Sequence, residues 1–173
     1  DKLGIVYSKT GIKVDSKMMT NVASIYAVGD ATGGMMLAHR AMQQAKCAVG
    51  RIFGEEVLDY NENFIPSVVY SHPQIARVGY TQKRAEDEGF SVEVVKSSYS
   101  ANIIARAELM GQGFVKAVFH RDELIGATIV GEDAAELIAP LTLAVSNKLS
   151  KKQLRNWVIS HPTLSEIFAP LFS

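Results

Sequence analysis

The sequence has 173 residues, of which 47% are hydrophobic, and its 18 basic and 18 acidic side chains give a formal net charge of zero. This length allows one or two domains with a sizeable core, and the balanced charge gives no reason to expect nucleic acid or an acidic membrane surface as a partner. No apolar run reaches the roughly 20 residues of a membrane span, no secretory signal is recognisable, and the one cysteine cannot form a disulfide within the chain. We therefore expect a cytoplasmic protein without a membrane span.

The first residues have the pattern of a short hairpin. The turn-like segment SKTG separates GIVY at 4–7 from IKVD at 12–15, and both flanking segments are rich in strand-forming residues. Because the chain starts with Asp and begins this hairpin almost at once, we expect it to be the C-terminal portion of a longer protein.

The segment SIYAVGD at 24–30 predicts a short strand that runs into Gly29 and Asp30. A glycine-rich turn follows, and then an amphipathic helix that Gly54 ends. Its predicted apolar positions are Ala38, Ala41, Met42, Ala45, Ala48, Val49 and Ile52, and its polar ones are Arg40, Gln43, Lys46 and Arg51. We interpret Cys47, which lies among small apolar residues of this helix, as a buried structural thiol.

A polar, aperiodic stretch, EEVLDYNENF at 55–64, predicts a linker. We place the end of the first domain at residue 60 and the second domain at 64–173. The second domain opens with two short strands around the His-Pro turn of SVVYSHPQIARVGYT, at 67–81. Thr81 is expected to cap a helix that ends at Gly89, and SVEVVKSSY at 91–99 predicts another strand.

The rest of the second domain alternates strongly. GFVKAVFH at 113–120 and ELIGATIVG at 123–131 predict an antiparallel hairpin. Asp133 and Glu136 have the spacing of a capping box for a helix through about Asn147, in which Pro140 should introduce a kink or shorten the first turn. KKQLRNW, at 151–157, predicts a short helix. The expected fold is α+β, with an antiparallel sheet and flanking helices.

The predicted strand, Gly-Asp turn and helix suit a ligand that carries hydroxyl groups. The carboxylate of Asp30 can accept hydrogen bonds from a sugar or polyol, and a helix N-terminus offers N–H groups and partial positive charge. Gly33 and Gly34 would let the backbone approach a flat ligand. A plain structural turn is an equally good interpretation of these residues alone.

The longer string TNVASIYAVGDATGGMMLAHRA, at 20–41, resembles the second FAD-binding segment of the pyridine nucleotide–disulfide oxidoreductases, and of the dihydrolipoamide dehydrogenases among them. The resemblance implies that Asp30 holds the ribityl chain of FAD. It also implies that Met36, Leu37, Ala38 and His39 lie at a helix start beside the isoalloxazine ring. His39 also fits the role of a partly exposed residue at the helix start.

The chain closes with WVISHPTLSEIFAPLF, in which His161 precedes Glu166 by five residues. Thr163 and Glu166 have the capping-box spacing T-x-x-E, so a purely structural role accounts for Glu166. The same geometry also suits chemistry, because a carboxylate bound to one imidazole nitrogen raises the basicity of the other. HPTLSE is similar to the family's C-terminal signature, which implies a cis His-Pro bond, His161 as acid–base catalyst of thiol–disulfide interchange and Glu166 as the residue that orients it.

The resemblance covers nearly the whole chain and implies an FAD-dependent enzyme that passes electrons between a dithiol/disulfide substrate and NAD(P) through a redox disulfide. It also implies a homodimer, in which His161 of one subunit reaches the flavin and disulfide of the other. The departures are Gln43 and Gln44 in place of acidic residues, Pro140, and the unusual ELMGQ at 108–112. No Cys-Cys pair is present near the end to indicate a mercuric reductase.

Two necessary features lie outside this sequence, namely the redox cysteine pair and the G-x-G-x-x-G turns for FAD and the nicotinamide nucleotide. We therefore expect the chain alone to be inactive and to bind FAD poorly, and we predict no metal site. The alternatives are a related flavoprotein reductase with another disulfide or a quinone-like acceptor, and a noncatalytic dimerisation module.

Overall fold

The computed structural model describes residues 2–56 and 59–173. The chain divides into two compact units, residues 1–62 and 63–173, and a 3-10 turn spans Glu62–Phe64. The linker predicted at 55–64 includes Val57 and Leu58, which lie outside the described residues. No helix in the described part of the chain combines the length and apolar character that a membrane span requires.

The first unit begins with the expected hairpin, which is shorter than predicted. Strands β1 (Tyr7–Ser8) and β2 (Gly11–Ile12) pair antiparallel. A 3-10 turn follows at Gly29–Thr32, and helix α1 spans Ala38–Ile52. Gly54 lies just beyond the helix with a φ of +71°, in the left-handed region that suits a residue without Cβ.

The prediction of a strand at 24–30 is wrong. Within the described residues this segment makes a single bridge, between Met19 and Tyr26, and its last two residues enter the 3-10 turn. A strand needs a neighbouring strand whose backbone groups pair with its N–H and C=O groups. In the described part of the first unit, the segment is bridged at one residue only. The apolar composition of the segment therefore does not produce an extended ladder here.

Helix α1 is present as predicted, but burial does not follow its apolar residues. Its buried residues are Arg40, Gln44, Cys47, Ala48 and Gly50. Met42, Val49 and Ile52 are 64%, 50% and 55% exposed. The spacing therefore predicted the helix correctly and assigned Arg40 to the wrong face, because hydrogen bonds allow polar groups to be buried. The buried position predicted for Cys47 is confirmed, since it is 3% exposed.

Residues 63–173, all of which are described, contain a five-stranded antiparallel sheet with the strand order β3-β4-β7-β6-β5. Its strands are β3 (Ser67–Val69), β4 (Gln74–Gly79), β5 (Glu93–Ser98), β6 (Phe114–His120) and β7 (Glu123–Gly131). The two-residue turn between β6 and β7 places Arg121 and Asp122 at φ values of +48° and +71°, as the tight hairpin connection predicted between them requires. The antiparallel fold class is confirmed.

Four helices and two 3-10 segments complete residues 63–173. They are α2 (Gln82–Asp87), a 3-10 turn (Tyr99–Ala101), α3 (Ile103–Ala107), α4 (Ala134–Ser146), α5 (Lys151–Leu154) and a 3-10 segment (Leu164–Leu171). Thr81 caps α2 as predicted, since its hydroxyl oxygen accepts the Arg84 N–H at 3.1 Å.

The predicted start of α4 is wrong in its detail. Asp133 adopts a left-handed conformation with a φ of +56° and makes no side-chain cap hydrogen bond. Gln74, on β4, instead accepts the N–H of Ala135 through Oε1 at 3.0 Å. A side chain from a neighbouring strand thus satisfies the helix start, which no local spacing could predict. Pro140 lies inside α4 without shortening its first turn.

The core of the second unit lies between the sheet and helix α4, which packs on β4 and β7. The C-terminal segment adds four side chains that are at most 2% exposed: Ile167, Phe168, Leu171 and Phe172. Trp157 stacks on Phe168 with ring centroids 5.5 Å apart. Because these residues directly follow Glu166, core packing fixes the end of the chain that carries the predicted His-Glu pair.

Candidate functional site

The predicted site residues fall into two sets, one in each unit. In the second unit, the His161–Pro162 peptide bond is cis, as expected. His161 Nδ1 lies 2.9 Å from Glu166 Oε1, and the other carboxylate oxygen, Oε2, accepts the Thr163 N–H at 3.0 Å. The side chains of His161 and Glu166 are 70% and 30% exposed, respectively. The structure therefore brings this predicted pair together at the surface.

The geometry of Glu166 combines a helix-start contact with a contact to His161. Its carboxylate satisfies a backbone N–H at the start of the Leu164–Leu171 segment, which is a 3-10 segment rather than the α-helix expected from the capping box. The Thr163 hydroxyl donates to the Ser160 carbonyl at 2.7 Å. These bonds close the corner on which His161 stands.

The electrostatics of the pair favour the ionised carboxylate of Glu166. The N–H of Thr163 and the ring of His161 both stabilise the carboxylate and hold the pKa of Glu166 below its ordinary value. A carboxylate accepts hydrogen bonds and cannot donate, so Nδ1 of His161 carries the proton in this contact. The lone pair then lies on Nε2, which is the nitrogen that can accept a proton.

Asn102 also binds this corner and was not identified from the sequence. It is 5% exposed, and its Nδ2 donates to the carbonyls of Thr163 and Leu164 at 3.1 and 3.2 Å. Its Oδ1 accepts the N–H of Ala105 at 3.0 Å and so caps α3. An Asn before a short helix is a local capping signal, but the contact across 61 residues has no local signature.

In the first unit, Asp30 lies in the Gly29–Thr32 turn and is exposed. Its carboxylate makes no ion pair or side-chain hydrogen bond with the described residues, and Met36 nearby in the chain is 76% exposed. Leu37 precedes α1 and, being apolar, supplies no side-chain cap. Ala38 and His39 form the start of that helix and are exposed.

The structure gives the two glycines after Asp30 a different role from the one predicted. A Cβ on Gly33 would lie 1.5 Å from the carbonyl oxygen of Thr10, in the β1–β2 turn, and a Cβ on Gly34 would lie 2.9 Å from Nη2 of Arg40. Both also have φ values near +75°. Packing against the Thr10 backbone therefore requires glycine at position 33, and the positive φ favours glycine at both positions, without any ligand.

The exposed groups of this region nevertheless fit the flavin cofactor that the sequence indicated. An exposed carboxylate at Asp30 suits hydroxyl groups, and the exposed side chain of Met36 suits an apolar ring. The start of α1 supplies partial positive charge for an electron-rich ring edge. These features do not require FAD, but they match the chemistry of its ribityl chain and ring.

Two side chains of α1, which the sequence placed without a role, contact the Gly-Asp turn. Gln44 Oε1 accepts the Gly29 N–H at 2.7 Å, and Arg40 Nη1 donates to the Gly29 carbonyl at 3.4 Å. Arg40 Nε also donates to both oxygens of Glu62, at 3.0 and 3.1 Å. Their i, i+4 spacing would have indicated a shared face, whereas their polarity suggested an exposed one.

Two family models match the sequence. Residues 65–171 match the pyridine nucleotide-disulphide oxidoreductase dimerisation domain, and residues 1–45 match pyridine nucleotide-disulphide oxidoreductase. Among curated proteins, a dihydrolipoyl dehydrogenase of Chlamydia pneumoniae is 39% identical over 98% of this chain and 37% of its own length. One from Chlorobaculum tepidum is also 39% identical, over 96% of this chain and 36% of its own length.

Solved structures show the same likeness. LpdA from Mycobacterium tuberculosis aligns with a TM-score of 0.90 at 30% identity, covering 96% of this chain and 37% of that one. The HOCl-induced flavoprotein disulfide reductase RclA from Escherichia coli aligns with a TM-score of 0.83 at 26% identity, covering 98% of this chain and 40% of that one. The chain thus spans little more than a third of the length of these relatives.

Proposed function

The chain belongs to the pyridine nucleotide-disulphide oxidoreductases, and from that membership we propose that it is the C-terminal portion of an FAD-dependent, dihydrolipoyl dehydrogenase-like enzyme. The complete protein would pass electrons between a dithiol/disulfide substrate and NAD(P). His161 is its acid–base catalyst, and Glu166 is the positioning residue for that imidazole. The observation that carries the proposal is the 2.9 Å contact between these two side chains.

The proton chemistry of the pair follows from its geometry. A thiol reacts as its thiolate and must give its proton to a base. Nε2 of His161 accepts that proton, and the adjacent carboxylate of Glu166 then stabilises the positively charged imidazolium. The same nitrogen returns the proton when a thiolate leaves. The Thr163 N–H keeps the carboxylate in place and ionised throughout, because it favours the charged form of Glu166.

In the first unit, we assign Asp30 to the ribityl hydroxyls of FAD, as their hydrogen-bond acceptor. Met36, Leu37, Ala38 and His39 would lie beside the flavin ring, where the start of α1 supplies partial positive charge. When bound, FAD supplies the two-electron carrier between the disulfide and the nicotinamide nucleotide.

Cys47 takes no part in this chemistry. It is the one cysteine of the chain, and burial, followed by the nearby charge of Asp59, raises the pKa of its thiol. A buried thiol with a raised pKa is a poor nucleophile. The redox cysteines of the proposed reaction would therefore come from other residues of the complete protein.

We assign the second unit to a homodimer contact. The support is the family model that matches it, a dimerisation domain, together with exposed apolar side chains that a partner subunit would cover. Leu143 on α4 is 65% exposed and Val158, shortly before His161, is 91% exposed. Dimerisation would remove this apolar surface from water.

Two other functions are alternatives to this one. A flavoprotein reductase acting on another disulfide or a quinone-like acceptor is the first alternative, and the likeness to RclA, a flavoprotein disulfide reductase, supports its disulfide form. A noncatalytic dimerisation module predicts no contact between His161 and Glu166. The hydrogen bond between them counts against that second alternative.

The experiment uses the complete protein and compares two matched variants. His72 also precedes a cis proline, and its Nδ1 also contacts a carboxylate, that of Glu132, at 3.0 Å. His72→Ala therefore controls for the loss of an exposed histidine in the same local setting. We expect His161→Ala to lower kcat for lipoamide about 100-fold or more and His72→Ala to leave it within about twofold.

The outcome also separates the candidates. Equal activity of the His161→Ala variant and the wild-type protein would remove the acid–base role. A complete protein that lacks bound flavin, or has no pair of redox cysteines, would contradict the enzyme proposal. Turnover of another disulfide or a quinone in preference to lipoamide would favour the first alternative.

A further inference from the structure

We infer that Gln44 and Arg40 are positioning residues for the cofactor, because together they bind both polar backbone atoms of Gly29 and thereby fix the turn that presents Asp30. The inference rests on the proposed FAD site and adds to it two side chains that would not themselves contact the cofactor.

Gln44 is the more buried of the two. It is 1% exposed, and its Oε1 accepts the Gly29 N–H at 2.7 Å. Its Nε2 lies 3.4 Å from Oγ1 of Thr32, the last residue of the same turn, and the Thr32 hydroxyl donates to the Gly29 carbonyl at 2.8 Å. Gln44 therefore contacts both ends of the four-residue turn that contains Asp30.

Arg40 lies one helical turn earlier on the same face of α1 and is 5% exposed. Its Nη1 donates to the Gly29 carbonyl and its Nη2 to the Thr32 hydroxyl oxygen, both at 3.4 Å. The guanidinium is balanced by Glu62, which its Nε contacts through both carboxylate oxygens. The Tyr60 hydroxyl also donates to Glu62, so the counter-ion is itself held in place.

The charge of Arg40 is secure in this setting. Burial opposes the charged form and is the largest single effect, but the hydrogen bond to Glu62 and the interactions with Tyr60 and the Glu62 charge together outweigh it and leave the pKa of Arg40 raised. Gln44 contacts the same two residues of the turn as this cation does. The Gln44 amide supplies an acceptor oxygen to Gly29 while Glu62 binds the guanidinium, so both contacts coexist.

These contacts act together with the close packing of Gly33 on Thr10 and with the Gly33 N–H bond to the Asp30 carbonyl at 2.9 Å in holding the turn. Gly29 has a φ of +69°, and in the described residues the preceding segment forms one bridge rather than a strand. At Gly29 the helix side chains bind the N–H and C=O groups that a strand ladder would otherwise bind. Asp30 is left exposed, with its carboxylate directed to no side-chain partner among the described residues, as a residue reserved for a ligand would be.

The test uses the complete protein and the adjacent glutamines as a matched pair. Gln43→Leu changes an exposed residue, whereas Gln44→Leu removes the acceptor of the Gly29 N–H at nearly constant volume. The FAD dissociation constant is measured by flavin fluorescence during reconstitution of the apoprotein. We expect Gln44→Leu to raise it about tenfold, the effect of one lost hydrogen bond, and Gln43→Leu to leave it within about twofold.

A third variant separates positioning from general stability. Gln44→Glu keeps an acceptor oxygen for Gly29 but buries a carboxylate, so its melting temperature should fall while its FAD affinity stays within about twofold of wild type. Hydrogen exchange of the Gly29 amide adds a readout without cofactor, and this amide should exchange faster in Gln44→Leu only.

Equal FAD affinities for the two leucine variants would overturn the inference, as would unchanged exchange at Gly29 in Gln44→Leu. A wild-type protein that binds no FAD would be a different result, since it would remove the proposed function together with this inference. The two failures are distinguishable because the first is seen in the variants and the second in the parent protein.

Discussion

The ring of His161 and the carboxylate of Glu166 share a hydrogen bond of 2.9 Å, while the second oxygen of that carboxylate holds the backbone N–H of Thr163. One side chain therefore stabilises the start of the last 3-10 segment and orients an imidazole. The capping pattern and the catalytic pattern in the sequence are two descriptions of the same contact. Any change at Glu166 should affect structure and chemistry together.

Glu166→Gln is the first prediction. The amide has the same shape and can still accept from His161, but it carries no charge to stabilise an imidazolium. We expect kcat of the complete protein for lipoamide to fall at least about tenfold. Steady-state kinetics measure the effect, and Glu108→Gln, which changes an exposed carboxylate of the same unit, serves as the control. Wild-type kcat in Glu166→Gln would argue against orientation by charge.

A second prediction concerns the pH dependence of stability. The Thr163 N–H, followed by His161, lowers the pKa of Glu166 in the folded state. A depressed folded pKa contributes stability above the unfolded pKa, and this stability is lost as the pH falls through the folded pKa. Wild-type protein should therefore be more stable than Glu166→Gln at neutral pH, with a difference that shrinks in acid.

Urea unfolding of the 173-residue chain from pH 7 down to about pH 3 measures that difference, a range that spans the ordinary titration of a glutamic acid. A difference in the free energy of unfolding that grows as the pH falls would contradict the lowered pKa.

The elements that the sequence predicted well are those whose pattern is local. The β6–β7 hairpin follows from two alternating runs and a two-residue turn, and the corner at His161 follows from four consecutive residues with a capping-box spacing. In each case the hydrogen-bonding partners lie in one continuous short stretch of sequence, so a local pattern shows both partners.

The failures involve partners that are distant in the sequence. Gln74 replaces Asp133 as the cap of α4 from 61 residues away. Arg40 turns inward because Glu62 and the Gly29 carbonyl receive its hydrogen bonds. Polar residues at helical spacing predict an exposed face only when no buried partner is available. Periodicity alone does not reveal such a partner.

The third prediction tests Asn102, the distant partner of the corner that carries His161. Asn102→Ala removes two hydrogen bonds to the 163–164 carbonyls and the cap of α3, so it should cost about 1–3 kcal/mol of stability. Asn102→Asp keeps an acceptor for the Ala105 N–H but cannot donate to those carbonyls.

If Asn102 holds the corner, both variants should lower kcat of the complete protein, and the aspartate should do so even though it retains the helix cap. Urea unfolding and steady-state kinetics on the same preparations separate the two effects. Normal kcat in Asn102→Asp would show that the α3 cap, rather than the contact with the corner, is what matters.

The last prediction concerns Cys47, whose thiol is 3% exposed and whose pKa is raised by burial and then by Asp59. A thiol that is both buried and protonated should react with DTNB far more slowly in the folded chain than after denaturation in urea. Because the chain has one cysteine, the absorbance change reports this residue alone.

Cys47→Ala in the complete protein should leave kcat for lipoamide within about twofold while lowering stability by up to about 2 kcal/mol, since it removes a small packed side chain. Rapid labelling of the folded chain, or loss of turnover in Cys47→Ala, would show that this thiol is accessible to the chemistry and that the redox pair must be reconsidered.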